Sequence, residues 1–180
     1  LLLLDSVLHD PQAARRPPVQ TFFRTRIEAA LAEMEATRVR EGAQIWKLYN
    51  MGFVVRTKSV TLAFDLVSGR TAGCPDFELS SNVLARLARQ CDVLFISHRH
   101  RDHAEEPMAQ LFLAQGKPVV APPQVFADRP LHASLTHLKR AAHVTQSLLV
   151  QGGKQALKVV IYPGHQMGSV ENNVSLVITP

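Results

Sequence analysis

The chain has 180 residues, which fits one domain with a sizeable core or a large piece of a longer domain. Apolar residues make up 46% of it and charged residues 19%, and these shares exclude a disordered or collagen-like chain. The formal net charge of +5 would suit a nucleic-acid partner, but the arginines between residues 15 and 40 are interspersed with glutamates. That mixture is typical of a solvated helical face, so we do not expect nucleic acid as a partner.

The sequence contains neither an obvious membrane span nor a cysteine motif. No apolar run approaches the roughly 18 residues that a membrane-crossing helix needs, so we expect no transmembrane segment. Residues 1–4 are all leucine, which fits the tail of a trimmed targeting segment, a truncation edge or one turn of a docked helix; we favour the last two. Cys74 and Cys91 lack the short spacing of zinc or redox motifs and are expected to be buried thiols. Cysteine usage does not identify the cellular compartment, although we favour the cytoplasm. The sequence leaves the oligomeric state open.

The first predicted element is a helix over residues 21–40. The prolines that precede it indicate a non-helical lead-in. Four apolar side chains are spaced to line one side of this helix: Phe22, Ile27, Leu31 and Met34. We therefore predict that residues 1–43 form a helical arm and that a separate domain covers residues 44–180.

After the arm, the sequence changes to short stretches rich in β-branched and aromatic residues, which predict strands. The predicted strands cover residues 45–49, 53–56, 60–64, 93–96, 118–120, 144–150, 155–162 and 174–178, with a hairpin turn at Gly152 and Gly153. Two helices are predicted over residues 80–90 and 105–115, with Ser80 or Ser81 as the cap of the first. The proline-containing stretch 121–142 predicts a loop with brief helical turns. Elements in this order predict an α/β sandwich.

Four potential metal ligands follow the predicted strand 93–96 within six residues: His98, His100, Asp102 and His103. In extended backbone, residues two apart project to the same side, so His98 and His100 can bind one ion together. A turn directly afterwards would let Asp102 and His103 face the same cavity. Imidazole nitrogen and carboxylate oxygen suit zinc, iron or manganese. We therefore predict a metal site here, in preference to a surface loop of solvated histidines.

The segment from Ser97 to His103 resembles the HxHxDH signature of the metallo-β-lactamase superfamily. Two further segments are similar to that superfamily: residues 61–65, which end at Asp65, and residues 162–165, which end at His165, 67 residues after His98. The strands before Asp65 are most similar to the branch that contains ascorbate-phosphate lactonase and the N-acylphosphatidylethanolamine phospholipases. The resemblance covers roughly residues 44–180.

The resemblance implies an αββα sandwich, of which residues 44–180 supply the N-terminal half and the start of the second half, preceded by an extra N-terminal helix. It implies that His98, His100 and His165 hold a first metal ion. Asp102 and His103 would hold a second ion, which makes the centre binuclear. The implied cofactor is zinc, as one or two ions, with iron or manganese as alternatives.

The implied activity is hydrolysis of an ester, lactone, amide or phosphodiester bond. Metal lowers the pKa of bound water and polarises a carbonyl or phosphoryl oxygen. Asp102 is the candidate catalytic residue, because its carboxylate can orient that water and relay a proton. The expected partner is a small-molecule substrate, with an anionic or carbonyl-bearing molecule favoured by the metal.

Two other functions stay open. One is a nuclease or phosphodiesterase of the same fold, which would need a basic patch beside the metal; the candidates for that patch are Arg99, Arg101, Lys139 and Arg140. Arg99 and Arg101 alternate with the histidines and are expected to point outward. The other function is a non-catalytic domain that binds metal.

The sequence departs from the superfamily's pattern at two places. The superfamily takes a bridging Asp and a final His from its C-terminal half, but no Asp or His follows His165. Either the chain is a fragment, or the second ion is absent or weakly bound. The superfamily's residue at the place of Asp65 braces the metal loop and is followed by small residues, whereas residues 66–69 here are Leu-Val-Ser-Gly. An ordinary strand-end carboxylate is the alternative role for Asp65.

The remaining histidines and several apolar side chains are expected to have structural roles. Surface or packing positions are expected for His9, His132, His137 and His143. Core or interface positions are expected for Trp46, Tyr49, Met108, Leu111 and Leu113.

Overall fold

The strands of the chain form two sheets that pack face to face. The computed structural model describes residue 10, residue 12 and residues 15–69 and 78–180. Three features of the sequence lie outside the described residues: residues 1–4, His9 and Cys74. One sheet has five strands and the other has three.

The first helix, α1 (Pro17–Ala36), begins and ends four residues earlier than the predicted range of 21–40. Pro17 is accommodated in the first turn, where the missing N–H has no intrahelical partner to lose. Thr37 ends the helix, since its hydroxyl and its backbone N–H both donate to Glu33 O. No helix in the described part of the chain is both long and apolar enough to cross a membrane.

One face of α1 packs against the rest of the chain. Phe22 is 44% exposed, so its predicted place on that face is wrong. The neighbouring Phe23 contacts Tyr49 instead, with ring centroids 5.7 Å apart. The other three predicted positions are buried in the core beneath the helices: Ile27, Leu31 and Met34. The division of the chain at residue 43 stays a prediction.

The five-stranded sheet has the order β1-β2-β3-β4-β5. Its strands are β1 (Ala43–Lys47), β2 (Phe53–Thr57), β3 (Thr61–Phe64), β4 (Val93–Phe95) and β5 (Val119–Val120). The first three pair antiparallel, whereas β4 is parallel to both β3 and β5. The parallel strands are connected by α2 (Ser81–Gln90) and α3 (Glu106–Leu113). Ser80 caps α2 through its hydroxyl, as predicted.

The parallel strands are buried on both faces because alternate side chains enter two different cores. The core between the two sheets receives Leu62, Val93 and Phe95. The core beneath the helices receives Ala63, Leu94 and Ile96. This second core also holds residues expected there from the sequence, namely Trp46, Tyr49, Cys91 and Met108, with Leu111 and Leu113 partly buried against it.

The three-stranded sheet consists of β6 (Gln146–Val150), β7 (Gln155–Gln166) and β8 (Val170–Ile178), all antiparallel. A tight turn at Gln151–Gly153 joins β6 to β7, as predicted. The hairpin of β7 and β8 is longer than predicted by four residues on each strand, because the ladder continues to the pair Gln166 and Val170. The loop before β6 contains one short helical turn, at Pro130–Ser134.

The two faces of the three-stranded sheet differ. The inner face packs on the five-stranded sheet through Leu148, Leu157, Val159 and Ile161. The outer face carries exposed apolar side chains, namely Leu149, Tyr162, Val174, Leu176 and Ile178. The described residues therefore form three layers, in the order helices, five-stranded sheet and three-stranded sheet.

The carboxyl ends of β3, β4 and β5 meet at one edge of their sheet, where α/β folds usually place ligands. Asp65 follows β3, and Ser97 begins the loop after β4. The backbone N–H of Asn173 in β8 donates to Ser97 O at 2.9 Å, which joins the two sheets at this edge. The predicted ligands His98 to His103 lie on the same loop.

Candidate metal centre

Asp65 is the acceptor that holds the loop 97–103 in place. Its φ of 48° lies in the left-handed region, which Asp tolerates better than most residues. Its Oδ1 accepts from the backbone N–H of Ser97 at 2.7 Å, and its Oδ2 accepts from Ser97 Oγ and from His103 Nδ1, each at 2.8 Å. Asp65 therefore braces both ends of the loop, as the resemblance implies.

The residues after Asp65 close against the end of the same loop. Leu66 and Val67 are buried. The backbone N–H of Ser68 donates to one carboxylate oxygen of Glu105 at 2.7 Å, and its hydroxyl donates to the other. The larger residues at 66–69 thus do not displace the brace, and Ser68 adds a second attachment. No pattern in the sequence pointed to Glu105.

His98 and His100 face each other across a short distance. His98 Nε2 and His100 Nδ1 are 3.0 Å apart, and His98 is only 2% exposed. This separation is that of a hydrogen bond between the two rings, and it is also close to the about 3.3 Å between two nitrogens that bind one tetrahedral zinc ion. Because the single hydroxyl proton of Ser97 goes to Asp65, Ser97 Oγ accepts from His98 Nδ1 at 2.9 Å. His98 Nε2 is then the unprotonated nitrogen.

His103 is oriented by Asp65 and presents its other nitrogen to Asp102. Its Nδ1 donates to Asp65, and its Nε2 lies 3.5 Å from Asp102 Oδ2. The His103 ring also lies against the His98 ring, with centroids 3.9 Å apart. Metal-binding histidines typically donate their remaining N–H to a carboxylate or carbonyl. His103 Nε2 and the Asp102 carboxylate therefore make a second pair of neighbouring donor groups.

Electrostatics at His98 disfavour its protonated form. The pKa of His98 is lowered from its ordinary value of 6.5, chiefly because burial penalises the imidazolium, and further because His103 and His100 would carry like charge. Metal ions bind neutral imidazole. The lowered pKa therefore keeps this nitrogen available as a ligand at neutral pH and somewhat below it.

His165 lies outside this group. It is exposed and belongs to β7, where it pairs with Glu171, whereas the sequence placed it at a strand's end. Within the ranges that the structure describes, no hydrogen bond or ring contact joins His165 to the loop, and no three His, Cys, Asp or Glu side chains are grouped to hold a metal ion. The structure thus brings four of the five predicted ligands onto one loop and leaves the fifth on the neighbouring hairpin.

Arg140 holds the hairpin that carries His165. Its guanidinium donates to Glu171 Oε1 at 2.7 Å, to Asn173 Oδ1 at 2.8 Å and to Gly164 O at 3.0 Å. These donors are therefore engaged within the protein, which argues against a phosphate-binding role for Arg140. Sequence reasoning missed this clamp, because its partners lie at least 24 residues away along the chain.

Three other histidines have the structural positions expected for them. His132 Nδ1 donates to Val125 O at 3.0 Å, and His137 Nδ1 donates to Ala121 O at 2.9 Å. Their rings lie 4.5 Å apart. His143 is exposed in a turn. The first two therefore fix the loop after β5.

Comparison with known proteins finds similarity in structure only. No protein-family model and no curated protein matches the chain. Igni18, a novel metallo hydrolase from the hyperthermophilic archaeon Ignicoccus hospitalis KIN4/I, is 12% identical, with a TM-score of 0.51 over 76% of this chain and 56% of its own. The metallo-β-lactamase fold protein YhfI from Bacillus subtilis is 13% identical, with a TM-score of 0.43 over 78% of this chain and 54% of its own. The chain spans about half the length of these solved structures.

At this level of sequence identity, structural similarity supports a shared fold and not a shared function. The match to Igni18 covers 76% of the chain and so includes most of the described helices and strands. The assignment to the lactonase and phospholipase branch stays a prediction. Over the matched part of the chain, the fold is similar to that of the metallo hydrolase Igni18.

Proposed function

We propose that the chain is the metal-binding part of a hydrolase that uses a zinc-type centre to activate water. The observation that supports this most is the facing pair of His98 Nε2 and His100 Nδ1, 3.0 Å apart at the carboxyl edge of the sheet. The description of Igni18 as a metallo hydrolase supports the same general class.

His98, His100 and His165 are the proposed ligands of a first ion, and Asp102 and His103 are the proposed ligands of a second. The donor set is nitrogen with carboxylate oxygen, which suits zinc and also iron or manganese. His98 Nδ1 and His103 Nδ1 are each fixed by a hydrogen bond, and the Nε2 of each ring is the proposed ligand atom. A metal at His98 Nε2 would replace the hydrogen bond of this nitrogen to His100. His165 is proposed as the third ligand of the first ion, from the adjoining hairpin.

A bound zinc-type ion would supply Lewis acidity and a water of lowered pKa. The chain's own contribution is to position the groups around that water. Asp102 is 40% exposed at its side chain and lies beside His103, so its carboxylate can accept a proton from an attacking water and pass it to the leaving group. The bond attacked would be an ester, lactone, amide or phosphodiester in a small-molecule substrate.

Hydrolysis before and after metal removal tests this proposal. The protein is stripped with a chelator, reloaded with zinc, iron or manganese, and assayed on a neutral ester, a lactone, an amide and a phosphodiester. We expect turnover of at least one compound, lost on stripping and restored by metal. At saturating metal, Asp102→Asn should lower kcat about 100-fold or more, because it removes the proton acceptor. His143→Gln is the control and should change nothing; turnover that survives stripping would contradict the proposal.

A non-catalytic metal-binding domain is the second candidate. The position of His165, exposed and outside the loop group, favours it. Its signature in the same experiment is stoichiometric metal binding without turnover of any of the four compounds.

A further inference from the structure

A cavity of about 400 Å³ opens beside the loop 97–103. It lies between this loop and the segment 124–129 that follows β5. Its charged lining consists of three arginines and three acidic residues, beside Gln124: Arg99, Arg101, Arg129, Glu105, Glu106 and Asp128. The cavity is therefore lined by several charged side chains, of which Arg99 and Arg101 belong to the loop that carries the proposed metal ligands.

Most of these charged groups are already engaged. Glu105 accepts two hydrogen bonds from Ser68. Arg129 Nε lies 3.6 Å from Asp128 Oδ2. Glu106 accepts a hydrogen bond from Gln110, one turn further along α3.

Arg99 and Arg101 are the exception. Both are exposed, and neither has a hydrogen bond or ion pair to any residue within 15–69 or 78–180. The segment 98–103 consists of bends and turns, and in it Arg99 and Arg101 line the cavity whereas His98 and His100 do not. Two guanidinium groups are thus left to interact with something other than the described protein.

Gln124 sets the position of the cavity relative to the hairpin of β7 and β8. Its side-chain amide donates to Ser169 O at 2.9 Å, and its side-chain oxygen accepts from the backbone N–H of Glu171 at 3.1 Å. Since His165 lies on that hairpin, the cavity adjoins both elements that carry proposed ligands.

We propose that Arg99 and Arg101 form an oxyanion-binding site for the substrate, so that the molecule hydrolysed carries a carboxylate or phosphate group. Guanidinium groups bind such groups through paired, charge-assisted hydrogen bonds. The identity of the bound molecule as a substrate rests on the proposed function, whereas binding of the anion itself does not need metal.

Residue-resolved arginine modification tests the site directly. Metal-free protein is treated with phenylglyoxal, with and without inorganic phosphate or acetate, and the modification rate of each arginine is followed by mass spectrometry. Arg40 is the internal control, since it is exposed at the opposite end of the sheet. Mass action predicts that an anion at about ten times its dissociation constant slows modification of Arg99 and Arg101 roughly tenfold. Stronger protection by phosphate or by acetate identifies the preferred group; protection no greater than that of Arg40 overturns the site.

A paired-substrate assay separates this inference from the proposed function. The double variant Arg99→Gln/Arg101→Gln is compared with Arg40→Gln on para-nitrophenyl acetate and on its anionic counterpart, mono(para-nitrophenyl) succinate. Loss of two charge-assisted bonds should lower kcat/KM for the anionic ester at least about tenfold more than for the neutral ester. Equal losses on both esters overturn the anion site while the hydrolase stands. Anion protection without any metal-dependent turnover would leave the site standing and count against the hydrolase.

Discussion

The loop after β4 and the hairpin of β7 and β8 both carry proposed metal ligands, but they are held in different ways. In the loop, hydrogen bonds to the buried Asp65 fix the ligand side chain of His103 itself, and His98 is bonded through Ser97. In the hairpin, Arg140 fixes the backbone and the neighbours of His165, while the His165 side chain stays exposed. Hydrogen bonds therefore fix the side chains of His98 and His103 in the loop, whereas in the hairpin they fix the backbone around His165.

Removal of the brace should have the largest effect. Asp65→Ala removes the acceptor of the Ser97 backbone N–H and of the Ser97 hydroxyl, and leaves His103 Nδ1 only Ser97 Oγ, 3.1 Å away, so we expect a loss of about 3 kcal/mol or more in the free energy of unfolding. Urea unfolding of the metal-free protein measures it. Asp92→Ala is the matched control, because Asp92 accepts one backbone bond, from Thr61, and should cost only about 1 kcal/mol. Similar losses in the two variants would contradict the special role of Asp65.

Removal of the hairpin clamp should cost less and act locally. Arg140→Gln breaks a half-buried ion pair with Glu171 and the bonds to Asn173 and Gly164, for a loss of about 2 kcal/mol. Hydrogen exchange should accelerate in residues 161–173 and remain slow in β3 and β4. The exposed neighbour Lys139→Gln should leave exchange unchanged. Equal acceleration across both sheets would show that the hairpin and the loop are not held independently.

The stability of the metal-free protein should depend on pH through His98. Its pKa is lowered in the folded state, so at pH values between this lowered pKa and 6.5 the unfolded chain binds more protons. The contribution of His98 is therefore full above pH 6.5 and is lost as the pH falls through the folded pKa. Urea unfolding across this range should show a steeper fall for the parent protein than for His98→Gln. His143→Gln should keep the parent slope, and an unchanged slope in His98→Gln would refute the assignment.

Replacement of the exposed ligand should have the smallest effect on the metal-free fold. His165→Ala should change the free energy of unfolding by no more than about 0.5 kcal/mol, since surface changes rarely do more. His98→Ala should cost about 2 kcal/mol, because it opens a buried site and removes the partner of Ser97. Thermal unfolding measures both variants. Zinc titrations should give a different pattern from the unfolding experiments. Both His165→Ala and His98→Ala should bind zinc more weakly than the parent protein.

The loop and the strand that precedes it could be predicted from the sequence because their information is local. Both the spacing from His98 to His103 and the apolar run before it lie within about ten consecutive residues. They can therefore be interpreted without knowing which distant residues they contact. The cap at Ser80 is local in the same sense. Periodicity alone misplaces the ends of α1, because Pro17 is tolerated in the first turn and the hydrogen bonds of Thr37 end the helix.

The hairpin could not be predicted to the same extent, because its features depend on contacts between distant residues. The clamp by Arg140 and the attachment of Ser68 to Glu105 join segments 24 to 37 residues apart. β7 extends through His165 because it pairs with the whole length of β8. The Pro-Gly sequence at 163 and 164 is instead typical of a strand end. Spacing alone puts Phe22 on the same side of α1 as Ile27, whereas its neighbour Phe23 makes the contact with Tyr49.

Metal content tests the central claim most directly. The parent protein, His98→Ala/His100→Ala and His143→Ala are stripped, dialysed against equimolar zinc, freed of unbound metal and measured by elemental analysis, with circular dichroism to confirm folding. We expect at least one zinc per chain in the parent and in His143→Ala, and little or none in the folded double variant. Full zinc content in the double variant would show that the loop after β4 is not the metal site.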